Sequence, residues 1–210
     1  MSLFLGKIHF WLFDKIRWFE NIELEVLELA KEHNMPVDKW VNYTSENFGE
    51  ITPNKPLDNL IDEGNIHGWL ESRIQSAERR GAYYITEMIK IEPSIKEEIG
   101  KIYSENGVLN ANECKVQKEE WNAQDIYTNI NNYILDGMPC DRINEIIVNS
   151  EEKVSWRMRE DLHKRFWDEV LGDVEVFHYL RSLWIKAFVN ELNSRFKFVQ
   201  LKNREFSIEE

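Results

Sequence analysis

Histidine and glutamate side chains at helical spacing are the residues of this chain best suited to chemistry. Of the five histidines, four lie in segments whose apolar residues recur every three or four positions. Imidazole nitrogens and carboxylate oxygens are common metal ligands, and helical bundles build metal sites from facing helices. The sequence therefore predicts a site for a divalent metal whose ligands come from His9, His67, Glu71, His163 and His178.

His67 and Glu71 give this prediction its most specific form. They stand four positions apart on one helix stripe with Leu70 and Ile74, so we expect both to face a bundle interior and line a cavity. His9, on the preceding long helix, is expected within reach. A buried carboxylate needs a proton, a cation or a metal as its partner. The competing interpretation is a core histidine hydrogen-bonded to a carboxylate or a carbonyl, beside a surface glutamate.

Two Glu-x-x-His motifs, Glu160–His163 and Glu175–His178, each place a carboxylate and an imidazole on one helix face. They resemble locally the pairs that ferritin-like di-iron proteins carry on two of their helices. Here the two histidines are only 15 residues apart, on consecutive predicted helices. That family separates its pairs widely. The resemblance is therefore to the local motif and not to the family.

Cys140 is the other candidate reactive group. It lies in a turn, residues 136–141, that precedes a predicted helix, and a helix N-terminus favours the thiolate. The alternative is a structural thiol. The sequence contains no Gly-rich phosphate loop, nucleophile elbow, HExxH motif or EF-hand loop. It therefore leaves open whether the protein is an enzyme.

Charge and cysteine usage limit the partners and the compartment. The 26 Lys and Arg residues against 38 Asp and Glu give a net charge of −12, which predicts no nucleic-acid partner. Arg79 and Arg80 are interpreted as part of a solvated helix face with internal pairing. The sequence contains no run of 18 uncharged apolar residues, so it predicts no membrane span. Two cysteines without a CxxC motif favour a reducing, cytoplasmic location.

The elements that must position these groups are predicted to be helices throughout. Helical periodicity covers five long segments and two short ones: 3–33, 57–91, 112–135, 150–171 and 173–196, with 93–104 and 141–148. No segment shows a convincing alternation of apolar and polar residues. The sequence therefore predicts an all-α fold, a bundle of four to five main helices with short connecting helices. Residues 1–196 would form this single domain and 197–210 a C-terminal tail.

Two function classes follow from this interpretation. The first is a helical bundle that binds a metal or a small ligand in an interior pocket lined by His and Glu. The alternative is a non-enzymatic structural or interaction protein that forms a homo-oligomer through aromatic-rich helices. The eight tryptophans motivate this alternative, because aromatic residues are enriched at interfaces. Clustering of the helical histidines would favour the first class.

Overall fold

The computed structural model describes residues 5–202 and 204–210, which form seven α-helices and one antiparallel sheet. The helices are α1 (Lys7–Glu32), α2 (Val37–Asn47), α3 (Ile66–Ile91), α4 (Ile95–Lys115), α5 (Ala123–Tyr133), α6 (Lys164–Glu169) and α7 (Val174–Leu192). The strands are β1 (Asn144–Asn149), β2 (Lys153–Met158), β3 (Lys197–Gln200) and β4 (Glu205–Glu209). Short 3-10 turns occupy Leu57–Asn59, Glu63–Asn65 and Pro139–Asp141.

Three of the five long predicted helices are confirmed in place, whereas the predicted helix 112–135 is interrupted between α4 and α5. α1, α3 and α7 fall within the predicted segments 3–33, 57–91 and 173–196, although the predicted start at residue 3 lies outside the described residues. Residues 57–65 form two 3-10 turns before α3 begins. Within the described part of the chain, no helix is both long enough and apolar enough to cross a bilayer.

The predicted short helix 93–104 is longer in the structure, because α4 continues through Asn106 and Gly107 to Lys115. Gly107 has a packing role there. A Cβ atom at this position would lie 2.6 Å from the carbonyl oxygen of Trp184 in α7 and 3.3 Å from the Cβ of Ala187. The glycine therefore permits a close approach of α4 and α7. In the sequence alone, Asn106–Gly107 resembles a turn signal.

The prediction of an all-α fold is wrong, because residues 144–158 form a β-hairpin where helices were expected. Val154 and Met158 stand four positions apart, a spacing that fits a helix as well as a strand. In the structure, residues 154 to 158 pair with β1 and β4, and Ser150 closes the turn. The Lys153 amide donates to Ser150 Oγ at 3.1 Å, and the Ser150 amide donates to the Lys153 carbonyl at 2.8 Å.

The C-terminal residues complete the sheet, whose strand order is β1-β2-β4-β3. Where a tail was expected, residues 197–200 and 205–209 supply two strands, and β4 lies between β2 and β3. Val154 and Ile208 face each other in register and are both fully buried. The last strand is therefore part of the core.

The chain forms two compact units, each assembled from separate stretches of sequence. The first unit comprises residues up to 96, with 133–138 and 163–174. The second comprises 97–132, 139–162 and 175–210. In the first unit α1 packs along α3, and α3 also contacts α2 and α6. The buried apolar residues of α1 and α3 include Ile16, Ile22, Leu70 and Ala77.

Tryptophans fill the interiors of both units. Trp184 stacks on Phe188 with ring centroids 4.8 Å apart, and Trp156 stacks on Phe206 at 5.6 Å, both in the second unit. Five of the eight tryptophans are buried: Trp40, Trp121, Trp156, Trp167 and Trp184. These five rings fill the core, so they do not supply the aromatic interface that motivated the prediction of a homo-oligomer.

Replacing Ile208 by Ala tests whether the C-terminal strand belongs to the core. We expect Ile208→Ala to lower the free energy of unfolding by about 2–4 kcal/mol, since it removes a fully buried side chain. Leu201→Ala, between β3 and β4 but exposed, is the matched control and should change it by less than about 0.5 kcal/mol. Equal effects in urea unfolding would contradict the placement of β4.

Candidate functional site

His9 and His67 meet, as the sequence predicted. Their Nε2 atoms are 3.3 Å apart, and the ring of His9 is buried near the start of α1. The expectation that His67 and Glu71 face the interior is wrong, because both are exposed on α3. Glu71 accepts a hydrogen bond from its neighbour Gln75 at 3.0 Å. The pair His9–His67 therefore lies at the surface end of the interface of α1 and α3.

The hydrogen bonds of His9 favour a contact between two histidines over a metal at this point. The Gly6 amide donates to His9 Nδ1 at 2.9 Å, so the proton of the neutral ring is on Nε2. Nε2 is then a donor to His67. A metal ligand normally donates through its second ring nitrogen, whereas here that nitrogen accepts. Burial, and then the electrostatic interaction with His67, lower the pKa of His9 below its ordinary value.

His163 lies apart from this pair, in a buried cluster of the first unit. Its Nδ1 atom is 3.0 Å from Glu78 Oε1, and its Nε2 atom is 3.4 Å from Asp136 Oδ1. The carboxylates engage opposite sides of the ring, so they do not converge on one point with it. Burial opposes the charged ring, but the charge of Glu78 and the hydrogen bonds to both carboxylates raise the pKa of His163 to about 9. His163 is thus a buried cation.

His178 and Cys140 belong to the second unit. His178 Nε2 lies 2.8 Å from Asp161 Oδ2, which Arg204 also approaches at 3.4 Å. The helix predicted to begin at Asp141 is absent, so Cys140 lies exposed in a 3-10 turn that leads into a strand. The dipole argument for its reactivity is therefore lost. Metal binding by the five predicted ligands stays a prediction, and the contacts favour structural roles for His163 and His178.

The structure contains a second buried charge cluster that the sequence analysis missed. Arg80 of α3 lies between two glutamates of α1, and all three side chains are buried. Its Nε donates to Glu23 Oε1 at 2.8 Å, and Nη2 donates to Glu20 Oε1 at 2.8 Å and to Glu23 Oε2 at 3.1 Å. The interpretation of Arg80 as part of a solvated face is therefore wrong.

The segment after α2 completes the coordination of the guanidinium. Arg80 Nη1 donates to the carbonyls of Gly49 and Glu50, both at 3.2 Å, and to Ser76 Oγ at 2.6 Å. Gly49 has a φ of +95°, a left-handed conformation that glycine adopts at little cost. The bend at Gly49 thus lets two consecutive carbonyls face the same cation.

The cluster carries more negative than positive charge when both glutamates are ionised. Glu20 Oε1 accepts from the amide and the hydroxyl of Thr52 as well as from Arg80, whereas Glu20 Oε2 is buried without a hydrogen-bond partner. Burial raises the pKa of Glu23 to about 7; the Arg80 guanidinium opposes this rise and the charge of Glu20 adds to it. Glu23 therefore titrates near neutral pH.

A groove of about 720 Å³ borders this cluster, and Glu23 and Arg80 are among the residues that line it. Arg80 and Tyr84 of α3 line it, and the Tyr84 hydroxyl is 2.5 Å from Thr44 Oγ1. Apolar side chains of α1, α2 and the following segment line the groove: Leu24, Leu27, Val37, Val41 and Ile51. Charged side chains line it as well: Glu28, Lys31, Asp38 and Glu50.

The spacing of the charges was a signal for this cluster. Glu20 and Glu23 stand beside Phe19, Ile22 and Val26 of the apolar stripe of α1, and Arg80 stands three residues after Ala77 in the stripe of α3. Opposite charges at core spacing on two long helices indicate a buried ion pair. Arg80 was instead interpreted as part of a solvated helix face, and no prediction was made for Glu20 or Glu23.

Comparison with known proteins provides no relative. The chain matches no protein-family model, no curated protein and no solved structure. The function must therefore be argued from the site itself.

Replacing His163 by Gln tests its role as a buried cation. We expect His163→Gln to lower the free energy of unfolding at pH 6 by about 3–5 kcal/mol, because two buried carboxylates lose their counter-charge. His33→Gln is the control, since the His33–Glu92 pair is more exposed, and it should cost less than about 1 kcal/mol.

The pH dependence of stability gives a second measure of the same cation. The folded-state pKa of His163 lies above its ordinary value of 6.5, at about 9. The stabilisation from His163 is therefore complete below about pH 6.5 and is lost as the pH rises through 9. Urea unfolding at several pH values should show this loss in the wild type but not in His163→Gln. A parallel pH dependence in both would contradict a charged His163.

Proposed function

We propose that the protein binds a small organic cation with an apolar substituent in the groove above Glu23. The cationic group, an ammonium, amidinium or guanidinium, contacts the Glu23 carboxylate, and the apolar part lies against Leu24, Leu27 and Val41. The observation that carries the proposal is a pair of buried carboxylates that share one arginine, one of which, Glu23, lines an open groove.

Charge supports a cationic ligand over a neutral or an anionic one. A buried carboxylate is stable only with a counter-charge or a proton, and Arg80 is shared between two carboxylates. In the groove Lys31 pairs with Glu28, and Arg80 pairs with Glu23. The carboxylates of Asp38 and Glu50 remain in excess at the edge. They would attract a cation during its approach.

The lining supports an organic cation over a metal ion. Five apolar side chains contribute to the groove, whereas hard metal ions require several converging oxygen or nitrogen ligands. Among the described residues, Glu20 and Glu23 are not joined by a third His, Cys, Asp or Glu close enough to complete a metal site. The volume of about 720 Å³ falls within the range of small-molecule sites.

A cytoplasmic location is part of this proposal. Cys114 and Cys140 are not joined by a disulfide in the structure, and free thiols persist in reducing compartments. Fractionation of cells that produce the protein would test this location. Recovery in an oxidising compartment would contradict it.

Calorimetric titration with benzylammonium, benzamidinium and butylguanidinium tests the ligand class. Benzyl alcohol and benzoate serve as the neutral and the anionic comparison. We expect at least one cation to bind at least about tenfold more tightly than either comparison compound, since only a cation neutralises Glu23. If no cation binds better than benzyl alcohol, the proposed ligand class is wrong.

A comparison of Glu23→Gln with Glu28→Gln distinguishes the role of the buried Glu23 from that of the exposed Glu28. Glu23→Gln should weaken binding of the cation about tenfold or more, because it removes the contacting charge. Glu28→Gln, at an exposed residue already paired with Lys31, should change the affinity by less than about threefold. Circular dichroism confirms that both variants fold. Equal losses would contradict a specific role of Glu23.

Binding should also strengthen as the pH rises. Because the pKa of Glu23 is about 7, the ionised fraction increases about tenfold between pH 6 and pH 8. The affinity for benzamidinium, which stays charged over this range, should increase by a similar factor. Glu23→Gln should remove that dependence. An affinity that is constant with pH in the wild type would contradict binding to the Glu23 carboxylate.

A further inference from the structure

The strand β1 is an open edge of the sheet in the second unit. It pairs with β2 on one side, and among the residues that the structure describes no strand lies on its other side. Three consecutive residues of β1 are exposed although apolar: Ile146 by 47%, Ile147 by 48% and Val148 by 39%. Ile147 also lacks a partner in β2, because a bulge shifts the register between Ile146 and Val148.

This edge has few of the features that usually prevent strand pairing. Edge strands are commonly protected by lysine, proline, inward-pointing charges or a β-bulge, and β1 has the last of these at Ile147. β1 contains neither lysine nor proline, and its only charged residue, Glu145, is paired with Arg159 at 3.2 Å. The opposite edge strand, β3, begins with an exposed Lys197, and its Gln200 donates to Ser182 Oγ at 2.6 Å, as Gln124 donates to Asn149 Oδ1 of β1 at 3.1 Å. The two edges therefore differ in the lysine, which only β3 carries.

The two ends of β1 carry opposite charges. Arg142 is exposed just before the strand, and Glu151 and Glu152 are exposed in the turn just after it. None of these three side chains has an ion-pair partner among the described residues. In an antiparallel pair of two β1 strands, the start of one strand lies beside the end of the other. Arg142 of each copy would then approach Glu151 and Glu152 of the other.

We propose that β1 pairs antiparallel with β1 of a second copy of this chain, which joins two four-stranded sheets into one. The opposite charges at the two ends of β1 favour a second copy of this chain as the partner, and they favour the antiparallel orientation. A parallel pair would bring Arg142 beside Arg142, whereas the antiparallel pair forms two equivalent attractive contacts about a two-fold axis. The pairing is centred on Ile147, so the apolar residues of both strands lie against each other. This surface belongs to the second unit and is independent of the groove of the first.

Sedimentation velocity from 1 to 100 µM tests the assembly. We expect a dimer that dissociates on dilution. Ile147→Lys should raise the dissociation constant at least about tenfold, because it places a charge at the centre of the paired edge. Leu109→Lys, at an α4 residue that is 58% exposed, is the matched control and should leave the dimer unchanged. A wild-type monomer at 100 µM, or a dimer that Ile147→Lys leaves intact, would overturn the proposal.

Charge exchange tests the orientation. Arg142→Glu alone should weaken the dimer at least about fivefold, since like charges then face each other. The triple variant Arg142→Glu, Glu151→Arg, Glu152→Arg should restore the wild-type dissociation constant to within about threefold. A triple variant as weak as Arg142→Glu would overturn the antiparallel arrangement.

Cysteine crosslinking tests the register. In a Cys140→Ser background, Ile147→Cys should form an intermolecular disulfide on mild oxidation, because opposed residues of antiparallel strands are close enough for one. Leu109→Cys in the same background is the control and should not crosslink. Failure of Ile147→Cys to crosslink at a concentration where the dimer is populated would overturn the centring on Ile147.

Discussion

The buried guanidinium of Arg80 is the interaction on which the first unit depends. It joins α3 to two glutamates of α1 and to the carbonyls of Gly49 and Glu50, so three stretches of chain are fixed around one cation. Burying such a group is tolerable only when all of its donors have acceptors. This requirement fixes the bend at Gly49, the pairing of α1 with α3, and thereby part of the lining of the groove.

The two buried charge clusters of the first unit share the same ratio of charges but have different surroundings. Each places one cation between two carboxylates: Arg80 between Glu20 and Glu23, and His163 between Glu78 and Asp136. Glu78 and His163 are sealed from solvent. Because Asp136 and His163 come from residues 133–138 and 163–174, their cluster joins these two segments to α3. Glu23 lines an open groove, where we propose that a ligand binds. The same imbalance is structural in one place and proposed to be functional in the other.

The sequence predicted what local periodicity determines and missed what depends on tertiary pairing. The stripes of α1 and α3 are long enough to identify both helices and the contact of His9 with His67. The spacing of Val154 and Met158 fits a helix or a strand equally, and only pairing with β1 and β4 decides between them. The burial of Arg80 was missed because the residues that make it favourable, Glu20 and Glu23, lie far from Arg80 in the sequence.

The central claim is that Glu23 is a buried carboxylate, titrating near neutral pH, that an organic cation can reach. Carbon-13 NMR of the Glu23 side-chain carboxyl, assigned by comparison with Glu23→Gln, measures its pKa directly. The account predicts a midpoint near pH 7 in the free protein, and a lower midpoint with saturating benzamidinium, since a bound cation favours the ionised form. A midpoint below pH 5, or one that saturating benzamidinium leaves unchanged, would contradict the account.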